Sequence, residues 1–229
     1  MINSKIITID GPSGVGKGTL AKNLSDELDW IVLDSGSLYR MVGYLSLKND
    51  TKDFSEISKI INKEEISFKF LKKNSNISLF LGEDDLSEFI RNEEVAKLAS
   101  EFAVIPEVRE YLFKIQRSFL NKGKGLIADG RDMGTILFPE AKHKFFITAS
   151  AEERARRREN QLKESGLSVN MRNLQERIEE RDKKDSSRVI SPLVPAEDAV
   201  VIDSSNIGIY ELKDNCLLYT SDAADDQLG

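Results

Sequence analysis

Two residue types that carry much of enzyme chemistry are nearly missing from this 229-residue chain, which has one cysteine, Cys216, and one histidine, His143. A lone cysteine excludes a disulfide framework and fits a reducing compartment. The two residues together are too few for a Cys/His zinc site, and any nucleophile–histidine–acid triad would have to use His143. That histidine stands between two lysines shortly after Pro139, where a solvated loop is the expected setting. No apolar run approaches the ~20 residues needed to span a bilayer. The opening MINSKIITIDG enters a strand-like segment directly, so no signal peptide is expected. A basic excess is absent as well: 33 Lys and Arg face 39 Asp and Glu, for a net charge of −6. That balance argues against nucleic-acid binding, although a pocket's local field can still favour a small anion. The expectation is a cytoplasmic protein whose chemistry runs on Lys, Arg, Asp, Ser and backbone groups.

What is present alternates strand and helix. KIITID (5–10) is a β-branched apolar run that stops at a glycine-rich turn, and Leu20, Leu24 and Leu28 then recur at helical spacing. A second short strand (30–33) precedes a helix whose face carries Leu38, Met41, Val42 and Leu45. This β-α-β-α order predicts an α/β fold with a parallel sheet flanked by helices. Between about 52 and 91 the rhythm changes. Ile66, Phe68, Phe70 and then Ile77, Leu79, Leu81 alternate with polar residues around Lys-Lys-Asn-Ser-Asn, the pattern of an inserted antiparallel hairpin. Helices are expected over 93–102, 106–121, 153–163 (opened by the capping box Ser150-x-x-Glu153) and 170–184, and strands over 125–129, 144–148 and 200–203. Asp203-Ser204-Ser205 reads as the cap of one more helix that begins at Ile207. Beyond about residue 213 no apolar period continues, so a single domain over 1–213 and a foreign or disordered tail over 214–229 are expected.

Gly11-Pro12-Ser13-Gly14-Val15-Gly16-Lys17 satisfies the phosphate-loop pattern G-x-x-x-x-G-K. A chance match is expected in roughly 6% of chains of this size and composition, and here the motif also lies between a strand and a helix, the context the pattern requires. Backbone amides and the following helix N-terminus would cradle phosphate oxygens, and Lys17 would add a point charge. The usual Ser or Thr after the lysine is replaced by Gly18, with Thr19 following. Direct Mg²⁺ ligation from the loop is therefore not expected; phosphates and water would hold the ion.

There is no Asn-Lys-x-Asp for reading guanine. Instead, arginines stand beside Ser, Asp or Gly at predicted element ends: Ser35 to Arg40, Asp129-Gly-Arg131-Asp132, and Arg177, Arg181, Asp185 and Arg188. Each taken alone reads equally well as a surface ion pair. Together they point to a second anion site facing the first, and the Asp129 group follows a strand's carboxyl end, where open α/β sheets bind ligands. A nucleotide-dependent switch and another small-acceptor kinase remain as rival readings.

GPSGVGKGT, LDSGSLYR, IADGRDMGT with FPEA close behind, and ERDKKDSSRVISPLVP resemble the bacterial cytidylate kinases over about residues 4–212. The resemblance implies a P-loop kinase that phosphorylates CMP and dCMP with ATP and Mg²⁺. It implies that Gly11, Pro12, Ser13, Gly14, Val15, Gly16, Lys17, Gly18 and Thr19 cradle ATP, and that Arg40, Arg131 and Arg188 hold the CMP phosphate. Ser100, Arg109 and Asp132 would read cytosine with Ser35 nearby, Arg181 and Asp185 would hold the sugar, and Asp129 would sit in the magnesium water shell. Asp132 suits cytosine because a carboxylate accepts from its N4 amino group and repels the carbonyl of uracil. The basic helix after Ser150 reads either as a solvated face or as part of a lid (about 150–167), with Arg154, Arg157 and Arg158 as candidates to reach the transferring phosphoryl group. A monomer that binds neither nucleic acid nor membrane is expected.

Overall fold

The computed structural model describes residues 5–70, 77–164 and 170–225. The lysine- and asparagine-rich hairpin turn and residues 165–169, which include the end of the expected lid, lie outside them. Strand β1 (Ile6–Asp10) leads through the glycine loop into helix α1 (Lys17–Leu28), and β2 (Ile31–Asp34) leads into α2 (Ser35–Lys48). The chain then runs through α3 (Phe54–Ile61), β3 (Ile66–Phe70), β4 (Ile77–Leu81), the short β5 (Asp84–Asp85), α4 (Glu93–Phe102) and α5 (Pro106–Ser118). Next come β6 (Leu126–Gly130), a π-helical turn at Met133–Leu137, β7 (His143–Thr148), α6 (Ala151–Glu164), α7 (Met171–Ser186), β8 (Val200–Asp203) and α8 (Ile209–Asp225).

Five strands form a parallel sheet in the order β2-β6-β1-β7-β8. Because side chains alternate along a strand, Ile6 faces one helical layer, with Leu126 and Ala128, while Ile7, Ile9 and Ile127 face the other. The first layer takes α2, α3, α4 and α5, and all four apolar positions read from the α2 sequence are buried in it. The second takes α1 and α8. β3, β4 and β5 form a separate antiparallel sheet in which Phe68 pairs with Leu79 and Ile66 with Leu81, the register the alternation predicts. That inserted sheet shares the first core through Ile66, Leu79 and Leu81.

Three expectations need correction. His143 is not a loop residue: it opens β7 opposite Ile7, at the end of the sheet away from the glycine loop, and burial lowers its pKa. Asp203 does not cap a helix. Its carboxylate accepts from the Ser205 amide and hydroxyl, and the next helix starts only at Ile209. The domain also does not end at residue 213. α8 continues to Asp225, with Leu212 and Cys216 fully buried one turn apart and Tyr219 tilted against Phe145 at 6.5 Å. Leu218 and Tyr219 stay largely exposed beside Glu211 and Asp214, so apolar residues are not confined to the inner face and the amphipathic signal weakens. A chain ending at Lys213 is expected to lose about 2 kcal/mol of apolar burial, lowering Tm by about 5 °C. Thermal unfolding of the full and shortened chains would check this, and equal Tm values would show that the last turns contribute nothing.

Candidate active site

β1, β2 and β6 are neighbours in the sheet, and each carries an aspartate at or next to its carboxyl end: Asp10, Asp34 and Asp129. The glycine loop leaves the sheet at β1, between β6 and β7, where the strand order reverses and α/β sheets open a crevice. Gly11, Gly14 and Gly16 have φ of +146°, +86° and +98°, so the loop winds through conformations that other residues avoid. Lys17 Nζ donates back to the Pro12 carbonyl at 2.9 Å and lies 3.9 Å from Asp129. Burial lowers the Lys17 pKa and raises that of Asp129, with their mutual attraction opposing both shifts.

Asp10 is 5% exposed and accepts from the Met133 and Gly134 amides at 2.9 and 2.7 Å. Burial pushes its pKa up to about 7 against the pull of those two amides. It therefore anchors the turn after β6 that carries Arg131 and Asp132. The sequence reading missed it, because an acid ending an apolar strand looks like a strand terminator. Asp34 was missed for the same reason. It caps α2 by accepting from the Ser37 amide at 3.0 Å and the Ser37 hydroxyl at 2.6 Å.

On the β2–β6 side of the loop the expected arginines converge. Arg40, Arg131, Arg181 and Arg188 line one cleft together with Ser35, Ser100 and Arg109. Asp185, 2% exposed, holds two of them: Arg188 lies 2.6 Å from Oδ1, and Arg131 Nε lies 2.6 Å from Oδ2 as an ion pair without hydrogen-bond alignment. Both oxygens of Asp185 thus face guanidinium groups. Burial and the neighbouring Arg131 lower the Arg181 pKa to about 10, and burial lowers that of Arg40, whose Nη1 donates to Ile90 O at 2.8 Å. Apart from Arg109, which pairs with Asp132, four arginines enter the cleft and Asp185 pairs with two of them, a surplus of positive charge that suits a phosphate dianion. Arg177 is not part of this group and pairs with Glu93 at 2.9 Å on the surface.

At the cleft's inner end Arg109 joins Asp132 Oδ2 at 2.5 Å, donates to the Ser191 hydroxyl and stacks its guanidinium over Tyr39. The contact leaves Oδ1 of Asp132 outside the Arg109 bond. Ser100 donates back to Ala96 O at 3.0 Å on α4, and it reaches the cleft from an exposed position.

On the other side of the loop a cleft of about 480 Å³ is lined by Gly14, Gly16, Thr19, Arg157, Ser204 and Ile209. Two of the expected lid arginines brace the loop. Arg154 donates to the Ser13 carbonyl at 3.3 Å, and Arg157 to the carbonyls of Val15 at 3.2 Å and Ser204 at 2.5 Å. Arg158 is exposed and close enough to Arg40 to act on its pKa. The Ser150 hydroxyl accepts from the Glu153 amide at 3.1 Å, as the capping pattern predicts. Among the described residues no group of three or more His, Cys, Asp or Glu side chains is arranged to hold a metal ion, and no helix is long and apolar enough to cross a membrane.

The family model described as cytidylate kinase matches residues 7–221. The chain is 46% identical over 214 residues to the cytidylate kinase of Enterobacter sp. (strain 638), an alignment covering 93% of this chain and 94% of that protein. The same figures relate it to the cytidylate kinase of Shigella flexneri. Among solved structures it is similar to an uncharacterized protein from Eubacterium ventriosum ATCC 27560, with a TM-score of 0.52, 17% identity, and 96% and 99% of the two chains covered. That likeness concerns the fold alone. With nearly the whole length matched at this identity, the chain belongs to the cytidylate kinase family.

Proposed function

We propose that this chain transfers the γ-phosphate of ATP to CMP and dCMP, yielding CDP and dCDP, and that it works as a monomer. The supporting observation is the pair of clefts on either side of the glycine loop that follows β1, one lined by loop residues and the other by arginines. Arg131, which lines the arginine cleft, lies close enough to act electrostatically on both Lys17 of the loop and Asp129. All of these groups come from one chain, so no second copy is needed to complete the site.

The acceptor is a phosphate monoester with second pKa ≈ 6, so near pH 7 its oxygen is already ionised and no general base has to create the nucleophile. The obstacle is bringing two polyanions into line, which calls for positive charge and positioning. Loop amides and Lys17 hold the donor phosphates, while Arg40, Arg131 and Arg188 bind the acceptor phosphate through planar forks. Arg181 adds charge beside them, and Arg158 faces them from α6. A hydrated Mg²⁺ fits the Lys17–Asp129 end, since the buried Asp129 carboxylate, with Asp10 and Asp34 close enough to act on it, can hold the ion's water shell without a protein cage. When bound it would neutralise phosphate charge.

Release of ADP, measured with CMP, dCMP, UMP, AMP and shikimate as acceptors, tests this reading. Turnover is expected with CMP and dCMP far above the rest, whereas ATP hydrolysis indifferent to all five would mark a nucleotide-dependent switch. Asp132→Ala is expected to lower kcat/KM for CMP by roughly 10- to 100-fold and to narrow the gap to UMP, because one charge-assisted contact to N4 discriminates by that order. An unchanged CMP/UMP ratio would remove Asp132 from base reading.

A further inference from the structure

Arg154 stands in a run of basic residues, yet it is only 4% exposed. Its guanidinium is fully engaged by three segments. Nε donates to Ala149 O at 3.1 Å at the start of its own helix, Nη1 to Ser13 O at 3.3 Å in the glycine loop, and Nη1 and Nη2 to the two carboxylate oxygens of Asp182 at 3.0 and 2.5 Å. The loop also rests on its stem: a Cβ placed on Gly14 would lie 3.4 Å from Arg154 Cβ. Asp182 sits on α7 between Arg181 and Asp185, the residues that border and organise the acceptor cleft. One buried fork therefore joins the donor loop to the acceptor helix.

We infer that the Arg154–Asp182 pair is a positioning strut that fixes the offset between the two phosphate sites, so that donor and acceptor oxygens meet in line. The inference rests on the kinase reading above. Neither residue needs to touch a substrate. Arg154 cannot turn toward the phosphates without giving up the Ser13 carbonyl and stranding the Asp182 carboxylate, so it acts through the backbone it holds. Each phosphate site has its own binding groups: loop amides and Lys17 on one side, arginines ordered by Asp185 on the other. Loosening the strut leaves both sites able to bind alone and lets them drift relative to each other. Misplacement by about 1 Å costs on the order of 10²-fold in rate.

The test compares Asp182→Asn, which keeps shape and removes charge, with Arg154→Lys, which keeps charge and removes the fork. Expected for either variant is a 10- to 100-fold fall in kcat, with dissociation constants for CMP alone and for a non-hydrolysable ATP analogue alone, read by calorimetry, within threefold of the parent. Asp182→Glu is expected to recover part of the rate. Combining the first two changes should cost little more than one, since both break the same contact. If kcat, measured well below Tm, stays within twofold, the pair is merely structural and the inference is overturned. A tenfold weaker affinity for the ATP analogue with kcat preserved would overturn it too, by placing Arg154 on the nucleotide. Failure of the kinase reading would appear separately, as absence of CMP-dependent ADP release by the unaltered chain. Should Asp182→Asn not fold, Arg154→Lys alone decides.

Discussion

Replacing Asp185 by alanine is expected to cut kcat with CMP by at least about 100-fold while the protein still binds inorganic phosphate. The two effects separate because Asp185 supplies order, not affinity. Its buried carboxylate lies 2.6 Å from both Arg131 and Arg188, which line a cleft that Arg40 and Arg181 also enter. Without it the net charge of the cleft rises, so a small anion is still attracted. The guanidinium groups, however, repel one another and lose the fixed directions that place the acceptor oxygen, and misplacement of about 1 Å is worth two orders of magnitude in rate. Removing one partner of a buried ion pair costs about 3–5 kcal/mol, which for a chain of this length means a Tm lower by roughly 10 °C. Added phosphate should restore part of that loss by standing in for the carboxylate. Kinetics and thermal unfolding with and without phosphate would measure all three effects. A variant with parental kcat would show that the arginines hold their places without Asp185.

How much of this was legible beforehand depends on the range of the physics involved. Local periodicity carried most of the fold: Leu38, Met41, Val42 and Leu45 announce α2, and the alternation through Ile66 and Leu79 announces the inserted sheet. The start of α8 near Ile207 was legible, but its continuation past Lys213 escaped, because its fully buried positions are Leu212 and Cys216 while Leu218 and Tyr219 stay largely exposed. The glycine loop was readable because its function is built from consecutive residues. The arginines were recognisable only as a set, since each alone resembles a surface charge, and Arg177 in fact is one. Asp10, Asp34 and Asp182 carried no signal of their own. The role of Asp10 depends on amides 123 and 124 residues away, and that of Asp182 on an arginine 28 residues earlier. Such pairings exist only after the sheet and helices have assembled. Arg154 shows the same limit from the other direction. Sequence left it as part of either a solvated basic face or a lid, whereas its burial and three sets of partners take Arg154 out of the solvated face.

Gly11→Ala is expected to be the most damaging single methyl group in the protein. At φ +146° the backbone of Gly11 lies where L side chains are strained, at a cost of about 1–3 kcal/mol. The added Cβ would also fall 2.1 Å from the carbonyl oxygen of Ile147, a backbone atom of β7 that cannot swing aside. Relief requires the loop to lift or β7 to shift, at a further cost of about 1–3 kcal/mol. β7 pairs directly with β1 through Asp10 and Phe146, so either movement tilts the first loop amides away from the donor phosphates. The expected outcome is a Tm lower by about 10 °C together with loss of measurable affinity for an ATP analogue, while CMP or phosphate still binds at the arginine cleft. Calorimetric titration of each ligand separates the two sites. An alanine variant that retains ATP-analogue affinity within threefold would mean the loop can leave Ile147 without disturbing its cradle, and the close approach of loop to β7 would then be incidental to catalysis.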